Sequence, residues 1–113
     1  MMKVAFDEIG RVAATFACEG GEVGKLCKMA ADGKVALCAA GDDFIGMMES
    51  VRGGYAGVQI HGFAEVAYTG TAPNLGYTKL VANGNGGVKT GDNGRAHLVV
   101  CVDENAMKAI VEL

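Results

Sequence analysis

Several residue types and patterns are scarce or absent in this sequence, and each absence excludes a class of protein. There is no tryptophan, one proline and one serine, and aromatic residues make up only 6% of the chain. No apolar run is long enough for a membrane helix, and the start, MMKVAFDEIGRV, has no apolar signal core. The net charge is −3 and the basic residues are scattered, whereas nucleic-acid binding requires a basic surface. We therefore expect no membrane and no nucleic-acid partner, and a chain retained in the cytoplasm.

The cysteines form no metal or redox motif. Cys18, Cys27, Cys38 and Cys101 include no CxxC pair, and their spacing fits no zinc pattern. Cysteine packs as a small hydrophobe, and the chain carries no secretion signal. We therefore predict free, buried thiols and no metal site.

Enzyme and cofactor motifs are also missing. The stretch NGNGGVKTGDNG lacks GxGxxG, and no GxxxxGK[ST] occurs anywhere. Ser50 has no nucleophile-elbow context, and His61 and His97 are each expected on the polar face of a strand. A carboxylate pair or a cysteine nucleophile stays open as an alternative. We expect a protein that is not an enzyme, with no catalytic, cofactor-binding or metal residue.

Short apolar runs separated by turns at roughly ten-residue spacing are typical of an all-β protein. The 18 glycines, spread among valine-rich runs, indicate many tight turns. We predict one domain over residues 1–113, folded as a small antiparallel β-barrel or sandwich. In one predicted strand, alternation places Ala56, Val58 and Ile60 on one face and Tyr55, Gln59 and His61 on the other. In a later strand, alternation places Leu98, Val100 and Val102 on one face.

The C-terminal stretch ENAMKAIVEL is ambiguous, because alanine, methionine, lysine and glutamate favour helix. A helix over Ala106–Leu113 is therefore one alternative. We favour a turn followed by a closing strand, Ala109–Leu113, with Ala109, Val111 and Leu113 facing inward.

Two segments of the chain resemble each other. GKLCKMAADG at Gly24–Gly33 and GYTKLVANGNGG at Gly76–Gly87 each contain a strand followed by a hairpin signal. The similarity continues through a Gly-Asp turn into a further apolar strand. We predict an internal pseudo-repeat of Gly24–Val51 and Gly76–Val102, with chance similarity of glycine-rich hairpins as the alternative.

Three surfaces are candidate interfaces. Arg52 and Tyr55 flank a hairpin tip, and both residue types are enriched in binding hot spots. The loop TGTAPNLG is long for a hairpin connection and only weakly polar. The N-terminal run alternates, and residues 1–18 are a possible N-terminal arm or edge strand. The candidate interface residues are Lys3, Val4, Phe6, Arg52, Tyr55, Thr71, Pro73 and Leu75.

The order of these parts resembles a known family. The stretches VGKLCKMAADGKV, AGDDFIGMMESV, YAGVQIHGFAEVAYTGTAPNLGY, LVANGNGGVK and LVVCVD are similar to the small β-barrel head-decoration proteins of tailed phages and prophages, also called capsid cement proteins. The resemblance covers roughly Val23 to Leu113 and rests on turns and apolar runs.

The resemblance implies a non-enzymatic protein that binds the outer surface of a capsid and braces it. Its implied partners are further copies of itself, often in trimers, and the major capsid protein. Its implied location is the host bacterial cytoplasm during assembly and then the virion capsid surface. The alternative is a small-molecule or glycan-binding β-sandwich, which would need a polar cluster or an aromatic platform, for which Tyr55, Tyr68 and Tyr77 are the only tyrosines. A module of a larger bacterial complex is a third class.

Overall fold

A computed structural model describes residues 11–113, and every regular element in that range is a β-strand. The all-β prediction is confirmed, and the ambiguous C-terminal segment is a strand rather than a helix. The strands are β1 (Val12–Cys18), β2 (Leu26–Ala31), β3 (Lys34–Leu37), β4 (Gly46–Arg52), β5 (Tyr55–His61), β6 (Phe63–Ala67), β7 (Gly76–Ala82), β8 (Val88–Thr90), β9 (Arg95–Asp103) and β10 (Lys108–Glu112).

The strands form two five-stranded sheets, here called unit 1 (β1 to β5) and unit 2 (β6 to β10). Unit 1 is a closed barrel in the order β1-β3-β2-β4-β5, because β5 pairs back onto β1. Unit 2 has the order β6-β10-β9-β7-β8. All paired strands are antiparallel except β1 and β3, which run parallel. The predicted antiparallel barrel is therefore correct except for this pair.

The two units share one strand order and one pairing register. Leu26 pairs with Met47 in unit 1, and Tyr77 pairs with Leu98 in unit 2, so both partners advance by 51 residues. The predicted repeat is therefore present, and the pairing extends it over all ten strands. Tyr77 occupies in unit 2 the place that Leu26 occupies in unit 1.

The irregularity in the ladders is repeated as well. On β4, one extra residue between Met48 and Ser50 interrupts the pairing with β5. On β9, the same interruption lies between Val99 and Cys101, opposite β10. A β-bulge bends its strand and increases the local twist, which helps a small sheet to curl. Both units therefore curve at the same point of their fourth strand.

The contact that closes unit 1 also has a counterpart. Cys18 pairs with Val35 across the parallel β1–β3 contact. Tyr68, just after β6, forms an isolated parallel bridge with Val88 on β8, and the Thr69 amide donates to the Val88 carbonyl at 3.1 Å. Unit 2 is thus a five-stranded sheet with the strand order of the barrel, and a single bridge stands where unit 1 has the β1–β3 pairing.

Two apolar clusters form the core, and the larger one joins the units. One cluster fills the unit 1 barrel, with Cys18, Cys27, Val35, Met48, Ala56 and Val58. The other packs Leu26, Cys38 and Phe44 of unit 1 against the interior of unit 2, formed by Ala64, Val66, Tyr68, Leu80, Ala82, Val88, Val99, Ala109, Val111 and Leu113. Ala109, Val111 and Leu113 therefore face inward as predicted.

Backbone hydrogen bonds reinforce this junction. The Gly41 amide donates to the Ala82 carbonyl at 2.9 Å, and the Ala82 amide donates to the Asp42 carbonyl at 2.8 Å. The Leu26 amide donates to the Gly86 carbonyl at 3.1 Å. The end of β7 and the hairpin after it are therefore bound directly to unit 1.

That hairpin, 83–87, explains the run of asparagine and glycine in ANGNGG. The Asn83 side-chain oxygen accepts from the amides of Asn85 at 2.8 Å and Gly87 at 3.1 Å. Gly84 and Gly86 have φ values of 84° and 92°, a region that glycine adopts without a steric penalty. The composition of this loop therefore serves a tight turn that must also contact unit 1.

Gln59 lies inside the structure, although alternation placed it on the polar face of β5. It is only 5% exposed, and its side-chain nitrogen donates to the carbonyls of His61 at 3.1 Å and Phe63 at 3.0 Å. These carbonyls flank Gly62, whose φ is 98°. The face prediction is wrong at Gln59 because its amide group fixes the turn that links the two units.

His97 is also buried, and its predicted position on a polar face is wrong. His97 and Val99 are 4% and 1% exposed, whereas Leu98 and Val100 are half-buried. The extra residue in β9 exchanges the faces of the strand, so Val102 packs against the core but Leu98 and Val100 do not belong to it. The bulge left no signal in the alternation of the sequence.

Candidate functional site

The described residues contain no cluster of metal-ligand type, and two buried thiols, Cys27 and Cys38, have raised pKa values. No group of three or more histidine, cysteine, aspartate or glutamate residues in 11–113 could hold a metal ion. All four cysteines are free, as predicted, and Cys18, Cys27 and Cys38 are buried, but Cys101 is only half-buried, so the prediction of burial is wrong there. Burial raises the pKa of Cys27 to about 12 and that of Cys38 to about 11. Such thiols carry little thiolate at neutral pH, and the thiolate is the nucleophilic form.

His97 is held in a packed position at the junction of the units. Its ring stacks on Phe44 with ring centroids 4.6 Å apart, and its Nδ1 lies 2.8 Å from the Glu112 carbonyl oxygen. A carbonyl only accepts, so Nδ1 carries the proton. Burial lowers the pKa of His97, and the hydrogen bond to Glu112 opposes this effect. The neutral ring serves as a flat surface for Phe44.

The turn at Arg52 and Tyr55 projects from unit 1 as predicted. The two residues are a cross-strand pair on β4 and β5, and the Gly53-Gly54 turn between them has φ values of 58° and 80°. Two positive φ values are typical of the tight hairpin turn that matches strand twist. Both flanking side chains are exposed, with Tyr55 at 59%. An arginine beside an accessible aromatic ring forms a small, rigid contact point.

The loop that follows β6 also reaches the surface, but its residues differ in exposure. Thr71 is exposed and Leu75 is 68% exposed, whereas Pro73 is buried. The Thr78 hydroxyl donates to the Asn74 carbonyl at 2.8 Å, which ties the loop to β7. Pro73 is therefore a structural residue of the loop rather than a surface contact.

An open groove of about 580 Å³ separates this loop from the β9–β10 connection. Asp103 shapes the second wall, because its side-chain oxygen accepts from the amides of Asn105 at 3.1 Å and Ala106 at 3.2 Å. The hydrogen bond from Ala106 lowers the pKa of Asp103. Each wall of the groove thus combines polar and apolar groups. The lining residues are Pro73, Asn74, Leu75, Val102, Asp103, Glu104 and Asn105.

The two predicted surfaces lie in different units and are related by the repeat. Arg52 pairs with Tyr55 at the end of β4, and Asp103 pairs with Lys108 at the equivalent end of β9. The groove therefore lies beside the unit 2 counterpart of the Arg52–Tyr55 turn. The fold does not merge the two candidates into one site.

The N-terminal candidates Lys3, Val4 and Phe6 lie outside the described residues. Of the predicted arm or edge strand, residues 12–18 form β1, which pairs with β3 on one side and β5 on the other. This part of the segment is therefore an interior strand of a closed barrel.

The most exposed large apolar side chain of the described residues is Tyr77, which sequence reasoning named for an aromatic platform but not as an interface residue. It is 73% exposed, directly after Leu75 and Gly76. Its counterpart Leu26 is fully buried. Aligning the repeats residue by residue would have shown that the two positions correspond, but not that one unit buries its residue and the other exposes it.

The structure and the comparisons add two further findings. Within residues 11–113 there is no helix of the length and apolarity needed to cross a bilayer. A scan against protein-family models finds no match, and a search of curated proteins finds none either.

Proposed function

We propose that this chain is a non-enzymatic structural protein that binds the outer surface of a tailed-phage capsid, as an oligomer, and stabilises it. The order of turns and strands that resembles head-decoration proteins motivates the proposal. Unit 1 and unit 2 form one body that is joined through a shared apolar cluster. Such a body suits a protein whose copies each bind weakly and together bind strongly.

Exposed apolar residues at defined turns are the observation that carries the proposal. Tyr55, Leu75 and Tyr77 are each more than half exposed, in a chain with few aromatic residues. Exposed apolar side chains of this size on strand ends and hydrogen-bonded loops lose little entropy on binding. The proposed partners are the major capsid protein and further copies of the chain, and the proposed location is first the host cytoplasm and then the virion surface.

Co-sedimentation with heads tests the proposal. Empty expanded heads, assembled from the major capsid protein of the same genome, are mixed with the purified chain and pelleted. We expect saturable binding and heads that break at a higher temperature. Absence of binding by a folded, oligomeric chain would refute the capsid role.

Two variants locate the contact. Arg52→Glu with Tyr55→Ala is expected to weaken head binding without loss of fold, since both side chains are exposed. Ser50→Ala, also exposed on β4, is the matched control. Removal of residues 1–7 tests whether Lys3, Val4 and Phe6 add a strand to the capsid, and unchanged head binding would rule out that contact.

The groove beside Leu75 favours a second candidate, a small-molecule or glycan-binding module. Its walls combine carboxylates, amides and apolar side chains, a mixture that sugar recognition uses. Tyr68 is buried, so only two tyrosines remain for an aromatic platform. A glycan array followed by titration against Asp103→Asn would test this alternative, and saturable binding lost in the variant would support it.

A further inference from the structure

The contact between the units exists once within the chain, although the repeat provides the elements for it twice. Unit 1 contributes Leu26 and Phe44, which pack against the apolar interior of unit 2. Unit 2 has residues that correspond to Leu26 and Phe44 of unit 1. Unit 1 has residues that correspond to the surface of unit 2 against which Leu26 and Phe44 pack. The described chain leaves both of these sets of residues without the partner that their counterparts have.

The set in unit 2 is called here the free lip and consists of Leu75, Tyr77 and Arg95. Tyr77 is the register counterpart of Leu26. The pair Cys27–Gly46 of unit 1 corresponds to the pair Thr78–His97 of unit 2. Two residues before Gly46 and His97 in the sequence are Phe44 and Arg95, so Arg95 is the counterpart of Phe44. Leu26 and Phe44 are buried, whereas all three lip residues are exposed.

The set in unit 1 is called here the open end and consists of Phe16, Met29, Ala31 and Ile60. The counterparts of Met29 and Ala31 are Leu80 and Ala82, which are 0% and 1% exposed because unit 1 covers them. Met29 is 44% exposed, and Ala31 is also exposed. The same elements therefore carry an apolar surface that is covered in one unit and bare in the other.

Phe16 and Ile60 show the same difference. The pair Ala14–Val58 of unit 1 corresponds to the pair Ala64–Val111 of unit 2. Two residues further along each strand, Val66 is therefore the counterpart of Phe16, and Leu113 is the counterpart of Ile60. Val66 and Leu113 are 2% and 8% exposed, whereas Phe16 and Ile60 are only half-buried.

Within residues 11–113, the backbone beside the open end also has no counterpart of the hydrogen-bonded partner that unit 2 has. In unit 2, Ala82 exchanges two backbone hydrogen bonds with Gly41 and Asp42 of unit 1. In unit 1, β2 continues to Ala31 beyond its last pair with β4, at Cys27. A short strand edge with exposed backbone is a surface on which another chain can pair.

We infer that the open end of unit 1 binds the free lip of unit 2 from a second copy of this chain, head to tail. The contact repeats between copies the arrangement that joins the two units within one copy. It is heterologous, so successive copies close into a ring if the rotation allows and otherwise extend into a filament. This inference does not require capsid binding.

Cross-linking of mixed variants tests the arrangement. Leu26 and Leu80 share one cluster, so their counterparts Tyr77 and Met29 should meet across copies. In a Cys101→Ser background, which removes the one cysteine that is not buried, M29C and Y77C are purified separately and treated with a short bismaleimide. We expect a covalent dimer only when the two variants are mixed, and none from Y77C mixed with the control S50C.

Mass measurement gives an independent readout. The wild-type chain is expected to self-associate by light scattering at concentrations up to about 1 mM. M29E and Y77E should each weaken this association at least tenfold, and M29K mixed with Y77E should restore part of it. The inference is overturned if the wild type stays monomeric throughout this range, or if M29C and Y77C each dimerise alone as readily as when mixed.

The competing occupant is the chain's own segment 1–10, which precedes β1 in the sequence. If it covers the open end, F6C with M29C would cross-link within one chain, and the mixed dimer would fail to form. That result would overturn the inference. We expect instead that removal of residues 1–10 leaves the M29C–Y77C cross-link intact. An oligomer of this kind that fails to bind heads would refute the proposed function and leave the inference standing.

Discussion

Truncation of Leu26 tests whether the two units fold as one body. Leu26 belongs to β2 of unit 1, but it packs in the cluster that lies mainly within unit 2, and it is fully buried. Leu26→Ala removes three carbons, worth about 2.4 kcal/mol at about 0.8 kcal/mol each. The remaining cavity adds to this loss, so we expect a decrease of about 3 to 5 kcal/mol in the free energy of unfolding.

Tyr77→Ala is the matched control, because Tyr77 occupies the same place in unit 2 and is 73% exposed. Its truncation should change the free energy of unfolding by less than about 0.5 kcal/mol. The measurements are made in dilute solution, where no association between copies contributes. A similar loss in both variants would refute the assignment of opposite burial to equivalent positions.

Urea unfolding with one probe in each unit gives the assay. Tyr55→Phe with Tyr77→Phe leaves Tyr68 as the one fluorescent tyrosine, and it reports unit 2. Thiol labelling of Cys27, which is fully buried in the barrel, reports unit 1. We expect both transitions to move together in Leu26→Ala. Exposure of Cys27 at lower urea with an unchanged Tyr68 transition would show that the units unfold separately.

Four further predictions concern pH and backbone. His97 has a lowered pKa in the folded state, so the unfolded chain binds the proton first as the pH falls. The free energy of unfolding should therefore decrease below about pH 6.5, by at most about 1.4 kcal/mol per pH unit. In urea titrations from pH 7 to 5, this decrease with pH should be smaller in His97→Gln, and an equal decrease would contradict the assignment. Cys27 and Cys38 have raised pKa values of about 12 and about 11 against 9.0, so unfolded thiols ionise first and stability should fall as the pH rises above 9, less steeply in Cys38→Ala under reducing conditions. A methyl group at Gly46 would clash with the Gln59 carbonyl oxygen and the Val58 side chain, so Gly46→Ala should lower the free energy of unfolding by about 3 kcal/mol or prevent folding. The control is Gly20→Ala, where space is open but φ is 67°, and it should lower the free energy of unfolding by only about 1 kcal/mol. Met107 has a φ of 53° where unit 1 has Gly54, so Met107→Gly should raise the melting temperature or leave it unchanged, and a clear decrease would refute strain at this residue.

Much of the fold could be predicted because turns and alternation are local signals. Asp32-Gly33, Gly53-Gly54 and the 83–87 hairpin mark reversals, since asparagine, aspartate and glycine accept the backbone angles that tight turns require. The repeat followed from the order of these turns. Alternation also gave the correct inward face of β10 and of Ala56 and Val58.

The errors arise where a long-range contact decides the outcome. The face of β9 depends on a bulge that only its pairing with β10 defines. Gln59 is buried because its amide group meets two carbonyls at the link between the units. The parallel contact of β1 with β3 follows from barrel closure and has no local pattern.

The candidate surfaces were predictable only in part. Arg52, Tyr55, Thr71 and Leu75 are exposed, as expected for turns and loops, but Pro73 is buried. Tyr77 was not named as an interface residue, because a tyrosine in an alternating strand gives no indication of which face is covered. That information lies in how the two units pack, which their sequences do not show separately.

The shared register creates a hazard during folding, because a strand of one unit could pair with the partners of its counterpart. Gly46 limits this exchange. β9 carries His97 at the corresponding position, and in unit 1 not even a methyl group fits there against the Gln59 carbonyl. β9 therefore cannot replace β4 without disrupting the barrel. Gly46 thus disfavours the incorporation of a unit 2 strand into unit 1, although the two units have the same strand order.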